Sequence, residues 1–414
     1  MHRRQFLQSA SLFTASSLIS GGLHGWIVKY PTAAQAPRGR FPRLIVILLR
    51  GGVDGLNVVV PYREEDYYEV RPSIAIPEPG TAGGALDLDG QFGLHPALAD
   101  LMPLWKAGQL AFVHASGSPD PSRSHFDAQD YMETGTPGRK GTPDGWLNRL
   151  LALLPDQSPT QAINLGNTTP LIFTGSHSVA NLPLGPQARR SLPLDRPATQ
   201  TAFDRLYSGQ DALSQAYQQG RQVRDIVMAD LNTEMMESAR GAPLPQGFSQ
   251  DAQRLAQLFR GKTQPQIAFL ALGGWDTHVN QGSSQGQLAR QLQPLGQGLA
   301  QLVRDLGPMF ADTTVVVMSE FGRTVQENGN RGTDHGHGNV LWVLGGQIQG
   351  GQVYGPWPGL ESAQRYQGRD LAVTTDFRAV IASVLTRHLG LTTADLTQIF
   401  PGYTLQTQIP LVKV

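Results

Sequence analysis

Two short motifs in this sequence combine aspartate with histidine at close spacing. Asp276 and His278 stand two positions apart, and Asp334 is followed by His335 and His337. Carboxylate oxygen and imidazole nitrogen together form a donor set that suits Zn, Mn or Fe. Each motif alone is also typical of a loop in which histidine binds backbone groups, because short motifs recur by chance. If the fold brings both motifs to one edge, they form a metal site.

The composition restricts which metals and partners the chain can use. Its 414 residues include no cysteine, so thiolate ligands and disulfides are excluded. Oxygen and imidazole ligands suit Zn, Mn, Fe, Mg or Ca, bound as one ion or two. The 33 basic and 33 acidic residues balance. Because no basic run follows the N-terminal segment, we expect no nucleic-acid partner.

Two further acidic residues follow apolar runs that predict buried strands. Asp54 lies in GGVDGLN, just after the run at 43–49, where it could ligate a metal or form an Asx turn. Glu320 directly follows the run at 313–319, and a carboxylate is costly to bury there unless it is paired or bound to a cation. We assign both as metal ligands; a salt bridge from Glu320 to Arg323 is the alternative.

Hydroxyl groups stand at the start of a predicted helix. Ser122 and Ser124 lie where free amides and the helix dipole lower the pKa of a hydroxyl and attract an anion. Ser124 could also act only as the N-cap, and the sequence does not choose between the two serines as nucleophile. Guanidinium groups clamp phosphate or sulfate oxygens, and four arginines are predicted near this edge: Arg50, Arg123, Arg323 and Arg331. The predicted catalytic set is Ser124, Ser122, His125 and Arg323.

Buried strands and helices alternate along the chain. Apolar runs predict strands at 43–49, 110–115, 266–272 and 313–319, and helices at 95–108, 284–306 and 374–390. This order predicts an α/β three-layer sandwich, with a mostly parallel sheet covered by helices on both faces. Ligands of such sheets bind beyond the carboxyl ends of the strands. The motif at 334–337 precedes its own strand at 339–346, so we predict that this strand runs antiparallel, which brings the motif to the same edge.

The N-terminus predicts export. Paired Arg3 and Arg4 precede a weakly apolar stretch at 11–23, and AQA at 34–36 resembles a cleavage site. This order is typical of a twin-arginine signal peptide over residues 1–36. The apolar stretch is too short and too rich in Ser and Gly to span ~30 Å of hydrocarbon, so we expect no stable membrane span. We therefore predict a periplasmic protein that the twin-arginine translocase exports.

The rest of the chain predicts one domain over residues 40–414. Within it, residues 180–250 interrupt the strand pattern and carry apolar side chains at helical spacing. We interpret this segment as a helical and irregular insertion beside the core.

Six segments together resemble a known family. They are spread over most of residues 40–390 and read LLRGGVDGLNVVVPY, FGLHPALADL, SRSHFDAQDYMETG, GGWDTHVNQG, SEFGRT and DHGHGN. They resemble a large, uncharacterised group of bacterial proteins exported through the twin-arginine pathway. That group is similar to the alkaline phosphatase and sulfatase superfamily, so the resemblance implies a sandwich fold of the alkaline phosphatase type.

The superfamily resemblance also implies two metal ions around one hydroxyl nucleophile. It matches the metal ligands to Asp54, Asp276, His278 and either His335 or His337. It matches the nucleophile to Ser124, with Ser122 second. The chain departs from the superfamily where Glu320 and Phe321 replace the usual Asp-His pair. It also departs at 118–123, which is one residue too long for the motif that sulfatases convert to an aldehyde.

These observations predict an exported, metal-dependent hydrolase of phosphate or related esters, acting on a small anionic substrate. The alternative is a non-catalytic periplasmic binding or assembly protein on a degenerate version of the same fold. Its partner would then be another periplasmic protein.

Overall fold

The structure, a computed structural model, describes residues 41–155, 160–166, 168–182, 239–261, 264–405 and 408–413. The predicted signal peptide and most of the predicted insertion lie outside these residues. Both stay predictions, as do the domain boundaries. Within the described residues, no helix is both long enough and apolar enough to cross a bilayer.

The described strands are β1 (Arg43–Leu49), β2 (Val59–Val60), β3 (Leu86–Asp87), β4 (Gly93–Leu94), β5 (Leu110–Gly117), β6 (Ala162–Leu165), β7 (Ala180–Leu182), β8 (Ile267–Leu272), β9 (Thr313–Ser319), β10 (Asn339–Gly345), β11 (Val353–Tyr354) and β12 (Thr375–Asp376). The described α-helices are α1 (Gly55–Val58), α2 (Glu65–Glu69), α3 (Met102–Lys106), α4 (His125–Thr134), α5 (Trp146–Leu151), α6 (Phe248–Arg260), α7 (Gln287–Leu306), α8 (Phe377–His388) and α9 (Thr393–Ile399). Short 3-10 helices cover Pro96–Leu101, Leu171–Phe173, Pro245–Gly247 and Gly307–Asp312.

One large sheet organises the described residues. Its strand order is β11-β5-β10-β9-β1-β8-β6-β7, and β12 pairs with β5 at one end. Strand β10 is antiparallel to both β5 and β9, whereas the other pairings in this sheet are parallel. A smaller antiparallel sheet joins β2, β4 and β3. The predicted fold class is confirmed, including the antiparallel direction of the strand before which the 334–337 motif lies.

The central strand shows why the sheet has two covered faces. In β1, Ile45, Ile47 and Leu49 pack in one core with helices α6 and α7. The alternate side chains of β1 pack in a second core with helices α5, α8 and α9. Because side chains alternate along a strand, an uninterrupted apolar run such as RLIVILL must bury both faces. The central strands therefore lie between two helical layers, and their carboxyl ends form one edge.

Candidate metal centre

Several polar side chains lie at the carboxyl edge of the sheet. Asp276 and His278 follow β8, and Glu320 follows β9. His125 is the first residue of α4, and His335 comes shortly before β10. Since β10 is antiparallel to β9, its amino end lies at the carboxyl end of β9, and this direction brings His335 to the same edge.

Three imidazole rings and one carboxylate lie in contact with one another, with His335 and Asp276 between the other two rings. The Nε2 atom of His335 lies 2.9 Å from Nε2 of His125 and 3.0 Å from Nε2 of His278. Asp276 Oδ1 lies 2.9 Å from Nε2 of His278 and 3.3 Å from Nε2 of His335, and its Oδ2 lies 3.4 Å from Nε2 of His125. We call these four residues the histidine cluster. His125, Asp276 and His335 each offer a ligand atom within 4.8 Å of the others.

The opposite nitrogen of each ring contacts an atom that can only accept a hydrogen bond. His125 Nδ1 lies 2.8 Å from Glu320 Oε1. His278 Nδ1 lies 3.1 Å from Asp334 Oδ1, and His335 Nδ1 lies 2.9 Å from the carbonyl oxygen of Arg123. We therefore assign the proton to Nδ1 in all three rings, which leaves a lone pair on each Nε2 of the neutral form. The lone pair of His335 Nε2 thus lies about 3 Å from those of the other two rings, and such contacts are repulsive unless a proton or a metal ion lies between the nitrogens.

Buried groups hold the ring of His125 in place. Glu320 is fully buried, and its Oε1 also accepts hydrogen bonds from the Gly51 amide at 2.7 Å and from Gln129 Nε2 at 2.9 Å. Gln129 lies one helical turn after His125 in α4, so both side chains share a face of the helix. The carboxylate therefore fixes the tautomer and the orientation of His125, as outer partners of metal-bound histidines do.

Arg323 holds Asp276 in the same way. Its side chain is buried, and it donates to carbonyl oxygens of Gly51, Gly52, Trp275 and Thr333 as well as to Asp276 Oδ1. The guanidinium thus has a protein partner for each nitrogen. Arg323 orients the carboxylate of the histidine cluster, and its donors are not directed at a substrate.

The electrostatics of the histidine cluster favour positive charge. Burial lowers the pKa of His125, but hydrogen bonds and charge from Asp276 and Glu320 outweigh burial and raise that pKa to about 9. Burial raises the pKa of Glu320, but the partners His125 and Gln129 lower it to about 2. For Asp276, three imidazoles and Arg323 overcome burial and hold the pKa far below its usual range. In the absence of a metal, a proton therefore supplies the charge that the carboxylates demand.

The family of the chain is given by its sequence. A family model described as "Protein of unknown function (DUF1501)" matches residues 42–400. The chain belongs to this family. The predicted resemblance to an uncharacterised family is therefore confirmed. No curated protein matches the sequence.

Three solved structures are similar to this DUF1501 protein. A protein in the alkaline phosphatase superfamily from Vibrio parahaemolyticus is 11% identical, with a TM-score of 0.39 over 77% of this chain and 63% of that chain. The C-terminal periplasmic domain of EcEptC from Escherichia coli, in complex with Zn, is 10% identical, with a TM-score of 0.36 over 74% and 73%. The lipoteichoic acid synthase LtaP from Listeria monocytogenes is 9% identical, with a TM-score of 0.36 over 74% and 65%. The chain spans less than two thirds of the first and third of these structures.

Two predicted ligands of the DUF1501 protein, Asp54 and His337, contact residues outside the histidine cluster. Asp54 pairs with Arg71 at 2.6 Å, and its Oδ2 accepts a hydrogen bond from Gln281 at 2.6 Å. These residues and Asn57, which also contacts Arg71, form what we call the Arg71 cluster. His337 is buried and packs on the ring of Tyr366, with centroids 4.6 Å apart.

The remaining predicted residues surround the histidine cluster. Asp334 and Glu320 contact it through Nδ1 atoms of histidines. Ser124 is the N-cap of α4, and its hydroxyl accepts the Asp127 amide at 3.5 Å. Ser122 Oγ accepts the Ser124 amide at 3.3 Å. The described contacts thus give Ser124 its capping role, and its side chain is exposed directly before His125.

Sequence reasoning missed three residues around the histidine cluster. Gln129 could have been found from its spacing of four after His125 on a helix. Arg369 donates to the carbonyl oxygen of His335, and Asp370 binds both Arg369 and Arg123. The last two lie in an irregular loop more than thirty positions from the histidine motifs, where no periodic pattern indicates contact.

Proposed function

We propose that this protein binds one divalent metal ion through His125, His278, His335 and Asp276 and hydrolyses phosphate or sulfate esters. The observation that carries the proposal is the convergence of three Nε2 atoms, each on a ring whose Nδ1 has an acceptor. Imidazole and carboxylate donors suit Zn, Mn or Fe better than Mg or Ca, which prefer oxygen ligands alone. Asp54, which the superfamily resemblance matches to a second ion, is paired with Arg71, so we propose a single ion.

The protein's own residues prepare this site before any ion arrives. Glu320, Asp334 and the Arg123 carbonyl hold the three rings with their lone pairs inward, and Arg323 holds Asp276. Such fixed donors lower the reorganisation that binding requires. When bound, a divalent ion would supply the positive charge that polarises an anionic ester and stabilises the charge developing during its hydrolysis.

Two partly exposed arginines support an anionic substrate. Arg123 Nη2 and Arg369 Nε bind the two oxygens of the buried Asp370 at 2.6 and 3.0 Å, and the side chains are 29% and 44% exposed. The Nη1 atoms of both arginines make no hydrogen bond within the described part of the chain. The Arg123 carbonyl contacts His335 Nδ1, and the Arg369 guanidinium donates to the His335 carbonyl. Both arginines therefore belong to segments beside His335, and their guanidinium groups could donate to ester oxygens near the ion.

The charges around the site agree with this interpretation. Four carboxylates and three guanidinium groups surround it, namely Asp276, Glu320, Asp334, Asp370, Arg123, Arg323 and Arg369. With neutral imidazoles, these groups carry one net negative charge. A divalent ion bound to the neutral imidazoles would change this to one net positive charge, which would attract an anionic ester.

Ser124 stays our proposed nucleophile, with Ser122 second. Ser124 lies at the start of a ten-residue helix and directly before His125. Helix amides and the nearby positive charge would lower the pKa of its hydroxyl. Its oxygen would then attack the phosphorus or sulfur atom, the bond from that atom to the ester oxygen would break, and the alcohol would leave with the proton lost by the hydroxyl. Water would next hydrolyse the phosphorylated or sulfated serine, which releases phosphate or sulfate and restores the hydroxyl. Arg123 and Arg369 would hold the remaining oxygens in both steps.

The decisive experiment compares metal content and ester hydrolysis in one set of variants. We expect about one metal ion per chain in protein purified from the periplasm, measured by elemental analysis, and loss of both metal and hydrolysis in His278→Ala/His335→Ala. His177→Ala is the matched control, because His177 lies on the surface and contacts Ser176. Metal retained at full stoichiometry in the double variant would contradict the proposal.

A non-catalytic role has one observation in its favour. The histidine cluster offers four protein donors, which is the number that closes a structural zinc site. Full metal occupancy with no turnover across a panel of phosphate and sulfate esters would support the binding or assembly role. Loss of hydrolysis in Ser124→Ala with metal content unchanged would support the hydrolase.

We also propose export through the twin-arginine pathway. Support comes from Arg3 and Arg4, followed by the short apolar stretch and the AQA segment. We expect Arg3→Lys/Arg4→Lys to retain the full-length chain in the cytoplasm, as judged by fractionation. Unchanged periplasmic delivery of this variant would contradict the proposal.

A further inference from the structure

A cavity lies at the carboxyl ends of β1, β8 and β6, on the edge of the sheet that also carries the histidine cluster. Its volume is about 400 Å³, and its lining includes Arg50, Arg240, Asn164 and Phe269. Open parallel sheets commonly bind ligands at this edge, and the volume lies within the range of small-molecule sites. None of the groups assigned above to metal binding or ester hydrolysis lines it.

Arg50 differs from the two other arginines buried at this edge. Arg71 and Arg323 each donate from all three of their nitrogens to carbonyl or carboxylate oxygens. Arg50 is 7% exposed. Its Nη2 binds Glu133 at 2.6 Å, its Nη1 makes only a long contact of 3.5 Å with the Arg240 carbonyl, and its Nε has no partner. Buried guanidinium donors are normally satisfied, so Arg50 lacks acceptors that Arg71 and Arg323 have.

The position of Arg50 indicates where the missing hydrogen-bond acceptor could lie. Arg43 also has an unpartnered Nε, but it begins β1 at the opposite, amino end of the sheet. Arg50 follows the carboxyl end of β1 and lines the cavity. Because Nε has almost no accessible surface, we expect an acceptor in the cavity to bind the guanidinium at Nη1, whose only contact is the long one to the Arg240 carbonyl.

The other cavity walls indicate what kind of molecule carries that acceptor. Arg240 is held by Asp130 at 2.7 Å and by the Phe126 carbonyl at 2.9 Å. Asn164 donates to the Thr168 carbonyl and to Asn181, and Phe269 adds an apolar surface. Since Glu133 and Asp130 balance the charges of Arg50 and Arg240, the walls are neutral overall. Such walls suit a singly charged anion with an apolar body better than a polyanion.

We propose that this cavity binds a small organic monoanion, a carboxylate or sulfonate on a compact apolar group, with Arg50 as its main hydrogen-bond donor. The ligand would contribute oxygen acceptors to Arg50, and its apolar group would lie against Phe269. This site is separate from the histidine cluster, although α4 supplies Glu133 to one and His125 to the other. The proposal does not depend on metal binding or on hydrolysis.

The test is titration of the protein with benzoate and with benzenesulfonate by isothermal calorimetry. We expect saturable one-to-one binding of at least one probe to the wild type and to His278→Ala/His335→Ala, which lacks the proposed metal ligands. In Arg50→Gln/Glu133→Gln, which leaves no buried charge unpaired, we expect binding to weaken at least roughly tenfold. Arg260→Gln, at an exposed helix end, should bind as the wild type does.

A second variant protects the test against misfolding. Ala242→Trp adds a large ring to the cavity wall without touching either ion pair, and it should also abolish binding. Near-UV circular dichroism would verify that each variant is folded. The proposal is overturned if neither probe saturates the wild type, or if binding survives unchanged in both Arg50→Gln/Glu133→Gln and Ala242→Trp. Binding that disappears only in His278→Ala/His335→Ala would assign the probe to the metal centre and would also overturn it.

Discussion

The histidine cluster and the Arg71 cluster show two ways of stabilising buried carboxylates at one edge of a sheet. In the Arg71 cluster, Asp54 faces a guanidinium that the chain itself provides at 2.6 Å. In the histidine cluster, Asp276 has Arg323, but three imidazole Nε2 atoms also lie 2.9–3.4 Å from its carboxylate oxygens. The Arg71 cluster contains its cation, whereas we propose that the histidine cluster binds one from solution.

The two clusters are also connected. Gln281 donates to Asp54 and accepts hydrogen bonds from the hydroxyls of Thr277 and Thr333. Thr277 lies between Asp276 and His278, and Thr333 precedes Asp334. The Arg71 cluster therefore supports the two loops that carry the proposed metal ligands. Asp54, after the first strand, would then serve the proposed metal site by stabilising these loops without touching the ion.

Replacing Arg71, the cation of the Arg71 cluster, should cause the largest loss of stability. In Arg71→Met, Asp54 would stay buried with its hydrogen bond from Gln281 but without a countercharge, so we expect a loss of about 3–5 kcal/mol in the free energy of unfolding. Urea denaturation of the metal-loaded protein measures it. Arg254→Met is the control, because the Arg254 side chain is 45% exposed and lies 3.6 Å from Asp251, so its loss should cost less than about 1 kcal/mol. Equal, small losses in both variants would show that Arg71 does not stabilise Asp54.

Removing a metal ion from the histidine cluster should destabilise the folded protein by a comparable amount. A variant that lacks this site should not respond to metal removal. A metal present at about 1,000 times its Kd stabilises the folded state by about 4 kcal/mol. We expect chelation to lower the melting temperature of the wild type and to leave that of His278→Ala/His335→Ala unchanged. A similar response of both proteins would mean that the ion binds elsewhere.

The sequence predicted the central strands and most of the histidine cluster, but not the Arg71 cluster. Continuous apolar runs identified the central strands, because only a strand buried on both faces requires them. The positions of Asp276, His278 and Glu320 beyond those strands also followed from the pattern. Asp54 occupies an equivalent position, yet its partner Arg71 comes from a turn between short elements, which no periodicity predicts.

The two histidines of the 334–337 motif give a second example. His335 faces Asp276, whereas His337 packs on Tyr366. Neighbouring side chains alternate in direction along an extended segment, so residues two apart share a side only where the backbone is regular. Here Gly336 and Gly338 pack closely against the backbone of other loops. The path between the two histidines therefore depends on tertiary contacts that the motif does not encode.

A sharper distinction between the clusters comes from one matched pair of substitutions. Glu320→Gln removes the carboxylate that orients His125, and loss of such a partner lowers metal affinity by about 10–100-fold. Asp54→Asn makes the same chemical change in the Arg71 cluster and should leave metal affinity close to that of the wild type. Competition with a chromogenic chelator measures both. Equal losses of affinity would place Asp54 at the ion, as the superfamily resemblance implies.

The smallest change that we expect is in substrate binding, and it distinguishes arginines that stabilise the fold from those that bind substrate. Arg71 has every nitrogen engaged, whereas Arg369 is 44% exposed and has an unengaged Nη1 within the described residues. We expect Arg369→Gln to leave stability and metal content unchanged and to raise KM for an anionic ester about 5–10-fold, because one partly solvated charged hydrogen bond is lost.

Arg331→Gln is the control for general surface charge, since Arg331 is also exposed. If the esters are not turned over, competition between inorganic sulfate and a bound anion gives the same comparison. A change in kcat with KM unchanged, or equal effects in both variants, would remove Arg369 from substrate binding and leave it the role of holding the His335 loop.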